Sequence, residues 1–272
     1  MMASAALQHA MVELDGIALH TLRFGRERND AVPLLCLHGV TGTGWLWHDV
    51  AQQLCHGRQV IVPELRGHGD SQWSRDAAYA TDDHLRDLEG LLDALAIDRC
   101  DLAGLSWGAL IGIRYAARHP HRIRKLAILD VEASFEQPVD AVPQRPESFP
   151  DLQAVCAFER AANPGAPEAL LQLFAAGSVR PGENGTWVRK HDRFFLRRWP
   201  FRNDDVWAQL ASLEMPLLLL HGADSFVRRE VMERMAGLAD TSRFHDMAGA
   251  GHLLPLEAPH VVGAHLEEFF QA

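Results

Sequence analysis

The chain has 272 residues, 47% of them hydrophobic and 23% charged, enough for one sizeable core and too balanced for disorder or a fibrous repeat. Its formal net charge of -10 argues against nucleic acid and against anionic membrane surfaces, both of which are held through accumulated Lys and Arg. No apolar run reaches the roughly 18 residues of a membrane span, and the first ten residues lack a basic stretch followed by an apolar one, so neither an anchor nor a secretory signal is expected.

In chain order, Met11–Glu13 and Ile17–Phe24 flank an Asp15-Gly16 turn signal and predict a hairpin. Leu34–His38, Val60–Pro63, Cys100–Gly104, Leu126–Asp130 and Leu217–His221 are continuous apolar runs bounded by Gly, Pro or Asp, the pattern of strands buried on both faces. Between them, Asp82–Leu95 carries Leu85, Leu88, Leu91, Leu92 and Leu95 at helical spacing, and Trp107–His119 and Pro259–Phe270 read the same way. Strands alternating with helices predict a mostly parallel α/β sheet. Ala133 to about Asn203 breaks the alternation, is rich in Pro and aromatics, and predicts a helical cap. The expected division is a core of residues 1–132 and 204–272, with 133–203 inserted after the sixth strand. Cys36, Cys55, Cys100 and Cys156 form no C-x-x-C pair, which suits a reducing cytoplasm.

Gly104-Leu105-Ser106-Trp107-Gly108 joins a predicted strand to a predicted helix. Such a turn strains its central residue, leaves no room for side chains at the flanking glycines, and presents the serine hydroxyl at a helix N-terminus. A serine at its ordinary pKa needs a base. Of the 15 histidines, His252 follows the glycine-rich run Ala248–Gly251, after the strand-like Arg243–Met247 and before the last helix. His245 and His260 fall in a predicted strand and a predicted helix instead.

This order of strand, Gly-x-Ser-x-Gly, helix, strand, cap, strand with Asp, and terminal Gly-His resembles the α/β-hydrolase family from about Val12 to the C-terminus. The resemblance implies an eight-stranded sheet and a serine hydrolase with Ser106 as nucleophile and His252 as base. It implies Asp224, just past Leu217–His221, as the acid, although its interval from Gly222 is one residue shorter than the common form. Asp130 is the alternative and Glu132 a weaker one. After His38-Gly39, the amide of Val40 joins that of Trp107 as the implied oxyanion hole. Thr41–Gly44 lacks the Gly-Lys-Ser/Thr ending of a phosphate loop, and the Arg66–Ser71 segment after Glu64 reads as a tight structural turn.

Substrate contacts are expected from His38, which also suits a supporting hydrogen bond, and from the cap cluster of Trp187, Phe194, Phe195, Trp199 and Phe201 with Arg193 and Arg197. Trp45 and Trp47 either line the pocket or pack in the core. An arginine there would pair a carboxylate-bearing substrate; the bland alternative is a packed aromatic face beside a solvated charged one. The activity implied is that of an enol-lactonase or esterase on a small molecule, by a monomer or homodimer without cofactor or metal. The carbon–carbon hydrolases of vinylogous diketones resemble it less, because they carry Trp after the catalytic His where Leu253 stands here. A ligand-binding receptor on the same fold is the reading from another class.

Overall fold

In the computed structural model, which describes residues 7–28 and 30–271, the period of two along each apolar run sorts side chains onto two faces of one sheet. The N-terminal residues, on which the expected absence of a signal partly rests, lie outside the described residues. Leu35 and Leu37 enter one core layer while Leu34 and Cys36 enter the other. Leu217 and Leu219 part from Leu218 and Leu220 in the same way.

The first half supplies β1 (Gln8–Leu14), β2 (Ile17–Phe24), β3 (Leu34–Leu37), α1 (His48–Leu54), β4 (Val60–Pro63), α2 (Thr81–Ala94), β5 (Cys100–Leu105), α3 (Trp107–Arg118) and β6 (Ile123–Leu129). Next come β7 (Ser148–Phe149), α4 (Leu152–Ala162), α5 (Glu168–Gly177), β8 (Val179–Pro181), β9 (Trp187–Arg189) and α6 (Trp207–Ala211). The chain closes with β10 (Leu217–Gly222), α7 (Arg229–Ala236), β11 (Ser242–Met247), α8 (Leu254–Glu257) and α9 (Pro259–Gln271). The eight-stranded sheet runs β1-β2-β4-β3-β5-β6-β10-β11. β1, β2 and β4 pair antiparallel, and every pairing from β4 to β11 is parallel.

Helices cover both faces. Leu85, Leu88, Leu91 and Leu92 bury the apolar stripe of α2, and Ala96 in the left-handed region (φ 52°) marks the chain's departure from it. α2, α3 and α7 share one layer; α1 and α9, through Val50 and Leu266, fill the other. Burying a side chain of this size contributes about 1.5–3 kcal/mol, so truncation at Leu102 or Leu219 would cost more than any surface change.

The expectation of a purely helical insertion needs correcting. Between β6 and β10 lie α4, α5, the short α6, several single 3-10 turns and a small antiparallel sheet ordered β7-β9-β8. Strands of two or three residues are too short to show a period of two in sequence. The insertion is pinned to the core by Phe195, whose ring packs against His68 (4.4 Å between centroids) and Tyr79 (4.7 Å), while Tyr79 Oη donates to Asp192 at 2.5 Å. The four cysteines are free thiols. Among the described residues no helix is long and apolar enough to cross a membrane.

Candidate active site

The turn from β5 to α3 places Ser106 at φ 55°, ψ -122°, in the left-handed half of backbone space. Such strain persists only where the surroundings enforce it. Here they do. A Cβ at Gly104 would meet the Gly108 carbonyl at 2.5 Å, and one at Gly108 would meet the Leu37 carbonyl oxygen at 2.5 Å. From Cys100 to Ile113, Ser106 alone is not buried.

Ser106 and His252 line one cavity of about 590 Å³, roofed by the insertion. The His252 loop reaches the site because β10 ends in glycine: a Cβ on Gly222 would lie 2.3 Å from the Gly251 carbonyl oxygen. His245 instead stacks on His265 at 4.3 Å and His260 is exposed, and neither lines the cavity.

The acid is where the sequence reading is corrected. His252 Nδ1 donates to Asp130 Oδ2 at 2.6 Å, not to Asp224. Asp130 is fully buried at the end of β6 and accepts two further bonds, from the Gly222 amide (2.9 Å) and Ser225 Oγ (2.5 Å). Asp224 is exposed; its own amide donates to the Ala250 carbonyl at 3.0 Å, pinning the loop. The shortened interval after Gly222 brings Ser225, rather than a carboxylate, beside the imidazole's partner. Glu132 is taken by Arg228, which it binds through both oxygens at 2.7 and 3.0 Å. Because a carboxylate only accepts, the neutral His252 imidazole is the tautomer with its proton on Nδ1, which leaves the lone pair on Nε2.

Around the cavity floor, Thr41 is in left-handed conformation (φ 58°) and its amide donates to His68 Nε2 at 3.0 Å, while the Gly42 amide donates to the Gly39 carbonyl at 3.1 Å. These bonds fix the backbone on the C-terminal side of Val40, a cavity residue. Trp107 is the first residue of α3, so its amide has no intrahelical acceptor. His38 is fully buried and lies outside the cavity: Nδ1 donates to the Gly39 carbonyl (2.8 Å) and Nε2 accepts from the Leu65 amide (3.0 Å). Burial holds it and His68 below the ordinary imidazole range. Both are hydrogen-bonding supports, which corrects the substrate-contact reading of His38.

The cap assignments are corrected too. Trp187 sits on the small sheet, Arg193 is exposed and paired with Glu147, and Arg197 is exposed; none lines the cavity. The wall is built by Trp199 and Phe201, which stack at 5.7 Å, and by Arg145 and Arg202. Trp47 is core, Trp45 packs against Gly177, and Leu46 between them faces the cavity. Arg145 and Ser225 were missed. Arg145 lies in the irregular stretch Pro143–Pro146, where no periodicity marks a facing.

His20, Glu64 and Asp70 are the one group with metal-ligand spacing among the described residues. They are already committed. His20 Nδ1 donates to Glu64 at 2.9 Å, the Gly44 and Asp70 amides donate to Glu64 at 3.1 and 2.6 Å, and Lys190 pairs Asp70 at 2.7 Å. The group is a structural staple for the Arg66–Ser71 turn, outside the cavity.

A family model described as alpha/beta hydrolase fold matches residues 32–259. A 2-hydroxy-6-oxo-2,4-heptadienoate hydrolase of Pseudomonas putida (strain F1) is 29% identical over 233 residues, 83% of this chain and 84% of that one. An esterase of Mycobacterium tuberculosis is 26% identical over 258 residues, 90% of this chain and 84% of that one. The crystal structure of an alpha/beta hydrolase from Novosphingobium aromaticivorans superposes with a TM-score of 0.82 at 22% identity, covering 100% of this chain and 99% of that one. With the matched region spanning six of the eight sheet strands, the strained serine and the terminal histidine, the chain belongs to the α/β-hydrolase fold family.

Proposed function

We propose that the protein is a serine hydrolase that cleaves a small carboxylic ester or lactone through an acyl-enzyme on Ser106. The observation that carries this reading is the strained Ser106 sharing one cavity with His252, whose Nδ1 is held by the buried Asp130. Ser106 Oγ attacks the acyl carbon as His252 Nε2 takes its proton, and the imidazolium is stabilised by Asp130. The amides of Val40 and Trp107 receive the oxyanion. The imidazolium then protonates the departing alkoxide, and a water activated by the same nitrogen returns the acid and the free serine.

A fluorophosphonate tests the nucleophile. Stoichiometric labelling of the wild-type chain is expected, and Ser106→Ala should lose the label together with about 10^4- to 10^6-fold in kcat for an aryl ester. A wild-type protein that stays unlabelled would favour the ligand-binding receptor. The second reading, hydrolysis of a carbon–carbon bond in a vinylogous diketone, draws on the name of the Pseudomonas putida relative. Leu253 after His252 speaks for the ester or lactone.

A further inference from the structure

The cavity holds charged groups that the proposed acyl transfer does not use. Its carboxylates each have a hydrogen-bonding or ion-pair partner. Asp130 is bonded by His252, Glu132 and Glu136 face Arg228, and Glu159 accepts from Arg189 at 3.0 Å. Its arginines are not treated alike. Arg228 is spent on Glu132 and Glu136, and Arg202 donates to the Pro138 and Ala141 carbonyls while stacking on Trp199 at 4.6 Å.

Arg145 is different. Among the described residues it makes no hydrogen bond and no ion pair, and its Nε is buried without a partner. Burial presses its guanidinium below the ordinary arginine value, with the charge of Glu159 opposing that shift and the charge of Arg189 adding to it. Arg145, Glu159 and Arg189 are thus within electrostatic reach of one another, two guanidiniums against one carboxylate. Arg189 cannot turn away to leave Glu159 for Arg145. It is held between Phe149 (5.0 Å) and Phe158 (4.9 Å), and its Nε donates to the Pro146 carbonyl at 3.1 Å, which also anchors the residue next to Arg145. Arg145 is half-buried with its Nε unpaired, so its charge is poorly solvated, and an anion delivered into the cavity supplies the missing partner.

We infer that Arg145 is the carboxylate-binding residue of this cavity, and that the ester or lactone carries a second, free carboxylate which this guanidinium holds while Ser106 attacks the acyl group. The inference rests on the hydrolase reading and adds the substrate class to it. A planar guanidinium on a fixed loop binds a carboxylate through two parallel bonds, which sets the distance between the anion and the scissile carbonyl. The apolar wall of Trp199 and Phe201 then accommodates the carbon chain between them.

The test compares 4-nitrophenyl hydrogen succinate, glutarate and adipate with the matching butyrate, valerate and hexanoate, using the full chain. The wild type should prefer the acidic ester at one chain length. Arg145→Gln should lower that preference, as the ratio of kcat/KM values, by about 10- to 100-fold and chiefly through KM, with Arg145→Lys recovering part of it. Turnover of the neutral ester by the same variant reports on folding. The Tm of unliganded Arg145→Gln should match or exceed wild type, since the empty protein loses a half-buried charge whose Nε is unpaired; a structural role would lower it. Calorimetry with Ser106→Ala, which cannot turn the ester over, gives a readout independent of catalysis: binding of the hydrogen glutarate ester should weaken by a similar factor when Arg145→Gln is added. No acidic preference at any length, or equal loss on both series, overturns the inference while leaving the serine hydrolase intact. Failure of fluorophosphonate labelling overturns the hydrolase reading instead, and the calorimetric result then decides for or against Arg145 alone.

Discussion

The strand ends and the cap wall handle buried charge in opposite ways. At the strand ends the two buried carboxylates are saturated: Asp130 accepts from His252, Gly222 and Ser225, and Glu64 from His20, Gly44 and Asp70. On the wall, Arg145 keeps an unbonded Nε. Saturated groups have one orientation whether or not a substrate is present, the condition for stabilising a transition state without reorganisation. An unsatisfied cation gains its partner only on binding. On the proposed reading, preorganised chemistry comes from the sheet and recognition from the insertion.

The largest effect that would break this contrast is at the acid. Asp130→Asn should reduce kcat on an aryl ester by about 10^3- to 10^4-fold, because the imidazole loses its orienting charge and tautomer. Asp224→Asn should change it less than about twofold, as expected for an exposed side chain away from such features. Similar losses in steady-state assays of the two variants would return the acid to Asp224.

The acid limb of stability gives a second, smaller effect. Burial holds His38, His68, His84 and His191 below the ordinary imidazole value, His191 down to about 4. The unfolded chain takes up these protons once the pH drops below about 6.5, whereas the folded chain refuses them. Stability is therefore full above that value and falls with pH, His191's share between about 6.5 and 4. Both ring nitrogens of His84 are buried without partners, edge-on to Trp107 at 4.4 Å, so His84→Phe should flatten the slope by one proton, about 1.4 kcal/mol per pH unit. Denaturant midpoints measured across that range check it; a parallel pair of curves would count against it.

The smallest effect sharpens the contrast within the insertion. Arg193→Ala and Arg197→Ala should alter KM for acidic esters by less than about twofold. Both side chains are solvent-facing, and an exposed ion pair such as Arg193 with Glu147 contributes about 0–1 kcal/mol. A tenfold rise in KM for either variant would move the anion site away from Arg145.

The difference between the two regions also governs what the sequence made legible. The central strands, the long helices and the meeting of Ser106 and His252 in one cavity were readable because a buried strand writes its period into five or six consecutive residues, and because the serine's turn demands glycine on both sides. The acid was not. Asp130 and Asp224 both follow apolar strands, and what separates them is the hydroxyl of Ser225 and the amide of Gly222 arriving from another strand. Trp187, Arg193 and Arg197 stood out by local density of aromatics and cations, which says nothing about facing. Arg145 precedes Pro146, whose carbonyl is held by Arg189, itself stacked between two phenylalanines, a long-range arrangement with no local signature.

β6 and β10 are neighbours in the sheet and run parallel, yet the whole insertion passes between them. Ser106 and His252 lie outside that excursion and Asp130 stands at its first position, directly after Leu129, whereas Arg145, Trp199 and Phe201 lie deep within it. Parallel neighbours need a crossover of only a dozen or so residues, so the excursion is far longer than topology requires. The segment of residues 133–203 is therefore a replaceable cassette: grafting a different one in its place should exchange the selectivity of the scaffold while Ser106, His252 and Asp130 stay where they are.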